Sequence, residues 1–292
     1  MVNDKEQRCC NITHNKKNMN EAAQINIDDI IRGKSEKLYH LLPHFAINYI
    51  KRIVHQNEVN DILQRYHGQD GISFSNKLME EFNVKFDVYN EAKIPSQTNL
   101  IIASNHPLGG FDGLALISLM SRYHKNIKFP VNDLLMNIPN LRDIFIPINT
   151  IGSKSIQFAR QLDAVFASDN VILYFPAGLC SRKINGEIQD LPWKKTFVSK
   201  AKEFKRDILP IHFEGKNSNF FYNLAHIRKK AGIKANIEMF YLCDELFRQK
   251  NSIYKIYVGD LIPYSQLNTE ETDYQWAQDI RGKVYQLPVK VK

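Results

Sequence analysis

Apolar residues divide the chain into three stretches. Residues 1 to about 25 are rich in Asn, Lys, Glu and Gln, with too little apolar content to offset the entropy of ordering them, so a loose polar tail is expected. From Ile27 apolar positions recur at spacings of three and four, and Leu38, Leu41, Leu42, Phe45, Tyr49, Ile50 and Ile53 run beside Lys37, Lys51 and Arg52. That period predicts an N-terminal helical region over 26–80, broken or kinked near its middle by Pro43. Such a stripe either packs on the rest of the protein or lies in a membrane interface with its cations at the lipid headgroups.

From Val84 the texture changes to short β-rich runs: Val84–Tyr89, Leu100–Ser104, Ile127–Val131, Ile144–Ile148, Val171–Phe175, Ile208–Phe213 and Tyr254–Val258. Helical patterns separate them over Leu114–Tyr123, Ser155–Phe166, Lys194–Lys205 and Phe220–Lys230. Strands alternating with helices predict an α/β fold, a mixed and largely parallel sheet flanked by helices. With no internal repeat and no low-complexity linker, 81–292 reads as a single domain.

Composition narrows the class. A chain of 292 residues, 43% of them hydrophobic, can bury a full core. No run of eighteen uncharged apolar residues occurs and the N-terminus is too polar for a signal peptide, so a cytoplasmic protein that does not span a bilayer is expected. Cys9, Cys10, Cys180 and Cys243 fit neither a zinc site nor a disulfide framework, and no His, Cys, Asp or Glu cluster has ligand spacing. Neither a metal nor a tightly bound cofactor is therefore expected.

The net charge of +8 suits a polyanionic partner, and residues 191–234 alone carry eleven Lys and Arg against three Asp and Glu, an excess equal to that of the whole chain. Trp193, Phe197, Phe204, Phe220, Phe221 and Tyr222 interleave with that charge, a mixture that could stack on bases. At helical spacing aromatics more often belong to a core, and no nucleic-acid motif accompanies them. An anionic membrane surface or an acidic carrier protein is the expected partner; nucleic acid is not.

The richest chemistry follows Leu100–Ser104, an apolar run ended abruptly by Asn105, His106 and Pro107. His106 thus stands at the carboxyl end of a strand, where open α/β sheets hold their ligands. Pro107 disfavours the α conformation at His106, Gly109 and Gly110 permit a turn, and Asp112 falls where the next helix would take its N-cap. On a continuous helix, positions six apart face different ways, so His106 and Asp112 can meet only across a folded loop. If they meet, the carboxylate fixes one imidazole nitrogen and leaves the other free to take a hydroxyl proton. Otherwise Asp112 only caps the helix and His106 is a polar loop residue.

Asn105-His106 followed by Asp112 resembles the first motif of the glycerolipid acyltransferases, the lysophosphatidic-acid acyltransferase family, whose signature is His, four residues, then Asp. Further segments are similar to the family's later motifs, in its order. They are Phe145-Ile146-Pro147-Ile148-Asn149, then Tyr174-Phe175-Pro176-Ala177-Gly178 with Ser181-Arg182, then Ile208-Leu209-Pro210-Ile211. Two departures stand out. Five residues separate His106 from Asp112, and Ala177 replaces the Glu of the third motif, which in the family helps hold glycerol phosphate. The strings His-Pro-Leu-Gly-Gly-Phe-Asp-Gly-Leu-Ala and Phe-Pro-Ala-Gly-Leu-Cys-Ser-Arg-Lys are more similar to a bacterial branch that carries a hemolysin label and is related to O-acyltransferases making ornithine and glycine lipids.

The resemblance implies an O-acyltransferase with a glycerolipid-acyltransferase-like fold, peripheral on the inner face of the cell membrane. Its acyl donor would be a thioester of acyl carrier protein or coenzyme A, and its acceptor the hydroxyl of a lyso amino-acid lipid. It further implies His106 as general base supported by Asp112, and substrate contacts from Asn105, Gly109, Gly110, Asn149, Gly178, Ser181, Arg182 and Lys183. Arg182 and Lys183 would meet the acceptor's carboxylate, and backbone N–H groups of the Gly109-Gly110 turn would stabilise the oxyanion. Two rivals remain: 1-acylglycerol-3-phosphate acylation, and a non-catalytic, hemolysin-like membrane or lipid-binding protein. His212, ending its strand, reads as a core or rim residue, and Cys180 has only Arg182 and Lys183 nearby to activate it as a nucleophile.

Overall fold

The computed structural model describes residues 24–148, 155–233, 236–267 and 270–290. Asn149 lies outside the described residues, as do Cys9, Cys10 and nearly all of the polar tail.

Five helices open the described chain: α1 (Ile27–Lys34), α2 (Glu36–Leu41), α3 (His44–Ile53), α4 (Gln56–Arg65) and α5 (Gly71–Glu81). Pro43 falls between α2 and α3 and caps the latter, because its fixed φ and missing N–H suit a helix start but not a helix interior. Asn26 and Asp70 accept backbone N–H groups of the first turns of α1 and α5. The apolar stripe of the sequence divides on folding: Ile53 is buried, whereas Leu41 is 79% and Phe45 76% exposed.

The α/β region then runs β1 (Lys85–Tyr89), β2 (Leu100–Ser104), α6 (Phe111–Met120), β3 (Ile127–Val131), β4 (Phe145–Pro147), α7 (Ser155–Phe166) and β5 (Val171–Tyr174). It continues with β6 (Arg182–Ile184), β7 (Glu187–Gln189), α8 (Thr196–Glu203), β8 (Asp207–Phe213), α9 (Asn219–Lys230), α10 (Leu242–Phe247), β9 (Ile253–Val258) and α11 (Asp273–Lys290). Seven strands form one sheet in the order β1-β9-β8-β2-β5-β3-β4. The block β8-β2-β5-β3-β4 is parallel, β9 runs antiparallel to β8, and β1 pairs parallel with β9. The expected mixed, largely parallel sheet flanked by helices is the fold. All seven expected strands occur, with ends shifted by a residue or so.

Strand β2 lies inside the parallel block, so both its faces are covered, and its unbroken Leu-Ile-Ile-Ala run is what a strand buried on two sides requires. Leu100 and Ile102 join a core with Phe74 and Leu78 of α5 and Leu116 of α6. Ile101 and Ala103 face the opposite core, with Phe197 and Val198 of α8 and Ile280 and Val284 of α11. The period-two alternation therefore binds two helical layers through one strand and leaves its carboxyl end fixed between them.

Pro210 occupies β8 despite lacking an N–H, at the point where pairing with β9 ends and an isolated bridge from Ile208 to Ile262 takes over. Its carbonyl accepts the Gly259 N–H at 2.9 Å. The β6–β7 hairpin and helices α10 and α11 were not foreseen. Residues 182–189 fold into a β6–β7 hairpin turned by Asn185 and Gly186, both with positive φ, and 273–290 form the long helix α11.

Candidate active site

Because β2, β5 and β8 are parallel, the segments that follow them emerge on one edge of the sheet. His106 follows β2, Phe175 follows β5, and Phe213 is the last residue of β8. Asn105, expected as a substrate contact, is buried and pairs with the main chain instead. Its amide Nδ2 donates to the Phe213 carbonyl at 2.9 Å and its Oδ1 accepts the Phe213 N–H at 2.7 Å. This two-point bond carries the β2–β8 pairing one step past the last backbone partners and engages both polar ends of the amide.

Beyond Asn105 the chain turns sharply. Gly109 has φ +77°, and a Cβ there would stand 2.7 Å from Leu242 Cδ2, so both backbone conformation and packing select glycine. Gly110, not Asp112, is the residue preceding α6; Asp112 lies in the helix's first turn, where its charge favours the helix N-terminus. The turn lets the two residues meet across the five between them: His106 Nδ1 lies 3.0 Å from Asp112 Oδ2. Asp112 is fully buried and also accepts the Leu108 N–H at 2.8 Å, which ties the loop to the same carboxylate.

The imidazole stacks on Phe175, with ring centroids 4.0 Å apart and planes 17° from parallel. Gly113 makes room for that stack, since a Cβ there would be 3.3 Å from Phe129 and 3.8 Å from Phe175. His106 is the one partly exposed member of its pair, at 15% against 0% for Asp112. Its Nδ1 is engaged, and Nε2 is the nitrogen left for a substrate.

The main chain of His106 is held as firmly as its ring. Its N–H donates to Asp190 Oδ1 at 3.2 Å and its carbonyl accepts the Ser181 N–H at 2.7 Å. Ser181 is buried, and its hydroxyl donates to Asp190 at 2.6 Å. Gly178 has φ +71° in the turn after β5, beneath the Lys194 ammonium group.

Arg182 has a different partner from the one expected. Its guanidinium meets the fully buried Glu238 at 3.1 Å, the Cys180 carbonyl at 2.8 Å and the Cys180 sulfur at 2.9 Å, and Arg228 closes on the other Glu238 oxygen at 2.7 Å. A buried carboxylate needs such cations, so Arg182 secures the 237–241 segment over the hairpin. Lys183, next along β6, points outward and is exposed. His212 packs between Tyr257 and Tyr285, and burial holds its imidazole down at about 4. The same effect pushes the Cys180 thiol up to about 11, and the neighbouring Arg182 offsets only part of it. Of the interleaved aromatics, Trp193, Phe197, Phe221 and Tyr222 are core residues, while Phe220 is 52% exposed.

Sequence reasoning missed Asp190, Phe175 as the ring beneath His106, and the covering segment 237–247. A signal for the hairpin existed: Asn185-Gly186 between alternating residues is a strong short-range hairpin cue. Nothing local marks Asp190.

A partly exposed imidazole with one nitrogen fixed by a buried carboxylate can shuttle a proton to or from a substrate hydroxyl through the other. Residues 29–291 match the profile of a protein family described as Acyltransferase. The chain is 45% identical over 264 residues, covering 90% of it and 95% of the relative, to a lyso-glycine lipid O-acyltransferase of Phocaeicola vulgatus. It is 42% identical, covering 90% and 97%, to the protein of the same name from Bacteroides thetaiotaomicron. A looser likeness, with TM-score 0.45 and 13% identity over 85% of this chain and 93% of the other, links it to the 1-acyl-sn-glycerophosphate acyltransferase PlsC of Thermotoga maritima.

Proposed function

The chain belongs to the acyltransferase family, and from that premise we propose that it moves a fatty acyl group from a thioester onto the hydroxyl of a lyso amino-acid lipid, the glycine type first. The observation that carries this reading is the divided imidazole, Nδ1 held by a buried carboxylate on a side chain that is itself 15% exposed, which leaves Nε2 for a substrate.

His106 Nε2 removes the acceptor's hydroxyl proton as that oxygen attacks the thioester carbonyl. Asp112 stabilises the imidazolium, and backbone N–H groups of the Gly109-Gly110 turn, at the positive end of α6, face the oxyanion. Collapse of the tetrahedral intermediate forms the ester and breaks the carbon–sulfur bond, and the departing thiolate takes the proton from His106. The step needs only the two substrates, and the donor is acyl carrier protein or coenzyme A. With Arg182 committed to Glu238, the exposed Lys183, Lys194 and Lys195 around the third motif are the cations open to the acceptor's carboxylate.

Both substrates carry long acyl chains, and no helix among the described residues is long and apolar enough to cross a membrane. Leu41, Phe45 and Tyr49 stay exposed, and Phe220 and Tyr241 continue that surface through edge contacts between the rings. Arg52 lies over the Tyr49 ring, 5.0 Å from its centroid, which suits peripheral binding to the anionic inner face of the cell membrane.

The test is lipid extraction and mass spectrometry from cells supplied with lyso-glycine lipid, lyso-ornithine lipid or lysophosphatidate and expressing wild type or His106→Ala. A diacylated amino-acid lipid formed by the wild type alone supports the reading. Phosphatidate rising instead would reassign the acceptor, and conversion that survives in His106→Ala would remove His106 from its role.

A further inference from the structure

Asp190 follows β7 and is wholly buried, yet its carboxylate is met by three donors. Oδ1 accepts the His106 main-chain N–H at 3.2 Å and the Ser181 hydroxyl at 2.6 Å, and Oδ2 accepts the Trp193 indole N–H at 2.9 Å. Its own main chain is anchored to α11, with its N–H donating to the Tyr285 hydroxyl at 2.8 Å and its carbonyl accepting from Arg281 at 2.8 Å. We propose that Asp190 is a positioning residue for acyl transfer, a buried anion that sets the main chain of His106 and adds a second fixed negative charge beside its imidazole. The proposal rests on the reading of His106 as the base.

The geometry explains why a carboxylate stands there. Beyond Ser104 the β2 ladder has ended, so the His106 N–H, turned inward at the strand end, needs an acceptor that the sheet no longer offers. Ser181, which takes the His106 carbonyl, belongs to the segment that carries Asp190, so one excursion of the chain after β5 holds both backbone groups of His106. Two of the three donors, a backbone amide and an indole, cannot accept. Asn would aim its NH2 at one of them. A carboxylate accepts from all three donors.

The electrostatic consequence follows from position. As His106 takes a proton in the transition state, positive charge develops on a ring flanked by Asp112 at Nδ1 and by Asp190 behind the main chain, both removed from water. Burial pushes the Asp190 carboxyl above its ordinary range, opposed by the Ser181 and Trp193 hydrogen bonds and by His106. The other titratable groups around the pair are Asp112 and Cys180 on the site side, Arg281 and Tyr285 from α11, and His212 against Tyr285. Burial raises the thiol and the phenol and lowers His212, so none of those three changes charge near neutrality.

The experiment compares steady-state kinetics of wild type, Asp190→Asn, Ser181→Ala and His106→Ala from pH 5 to 9. The substrates are vesicle-borne lyso-glycine lipid and whichever acyl thioester the wild type turns over, and thermal melts check folding. For Asp190→Asn, kcat should fall by roughly tenfold to a hundredfold with little change in KM, as expected for a misplaced base. The acid limb of its rate profile should move to lower pH, because the imidazolium has lost a neighbouring anion. In Ser181→Ala the carboxylate keeps its place but loses its shortest hydrogen bond and binds a proton more readily, so over the acid range the imidazolium again loses its neighbouring anion and the limb should move to lower pH, by less than in Asp190→Asn.

A folded Asp190→Asn with the wild-type limb and kcat, or one that loses only melting temperature, overturns the proposal. If Asp190→Asn does not fold, an unmoved limb in Ser181→Ala does the same. Turnover that persists in His106→Ala sinks the underlying reading instead, whatever the Asp190 variants do.

Discussion

Replacing Asp112 by Asn alters one functional group and leaves the shape of the site intact. The native carboxylate accepts from His106 Nδ1 at 3.0 Å and from the Leu108 N–H at 2.8 Å through the same oxygen, and from the Gly113 N–H through the other. In the variant, an amide oxygen that stays with Leu108 and His106 sets NH2 against the Gly113 N–H, whereas the opposite orientation sets NH2 against the Leu108 N–H and faces it to His106 Nδ1. Either way the ring loses its anionic partner. Where NH2 faces Nδ1, the proton moves to Nε2, the nitrogen that accepts the hydroxyl proton in the proposed mechanism. Loss of the correct tautomer in a His–carboxylate pair lowers kcat by about 10³ to 10⁴. At about 1.4 kcal/mol per decade, that corresponds to roughly 4–5.5 kcal/mol of transition-state stabilisation.

The effect on folding should be smaller. Setting an amide NH2 against a buried backbone donor costs about 1–3 kcal/mol, equivalent to several degrees in Tm. The assay is acylation of lyso-glycine lipid in vesicles, with kcat and KM resolved by mass spectrometry and thermal unfolding followed in parallel. Turnover within tenfold of wild type in a folded Asp112→Asn protein would refute the tautomer argument.

Three further outcomes are expected. Phe175→Ala removes the ring 4.0 Å beneath the imidazole and should lower kcat about tenfold with a smaller change in KM, whereas equal losses in both would point to substrate binding instead. The Cys180 thiol, raised to about 11 by burial, stays protonated at pH 8; peptide mapping after iodoacetamide treatment should find it unmodified in the native protein and labelled after denaturation. A double substitution of Leu41 and Phe45 to Glu touches residues 79% and 76% exposed, so the melting temperature should hardly move, while co-sedimentation with anionic vesicles should drop severalfold. Undiminished sedimentation would move the membrane contact elsewhere.

The strands were legible because each carries its own reason to extend. The Leu100–Ser104 run is too short and too apolar for a surface helix, and its burial on both faces is what such a run implies. The His106 and Asp112 pair was legible as a possibility, since Pro107 and two glycines announced a turn. The hairpin was missed although Asn185-Gly186 signalled it, and α11 because Pro288 and a weak apolar stripe obscured its helical period.

The roles of the polar residues followed a different logic. The sequence by itself determined which segments extend, which coil and where the chain must turn, because propensity, period and backbone sterics act over a few residues. Tertiary structure alone decided what Asn105, Arg182 and Asp190 do, because their partners Phe213, Glu238 and His106 lie 108, 56 and 84 positions away. A buried hydrogen bond is satisfied by whichever group the packed sheet brings within about 3 Å, and that choice is made by strand order and register. Asn105 therefore became a sheet clasp, Arg182 the partner of a buried glutamate, and Asp190, unmarked in the sequence, the acceptor at the back of the histidine.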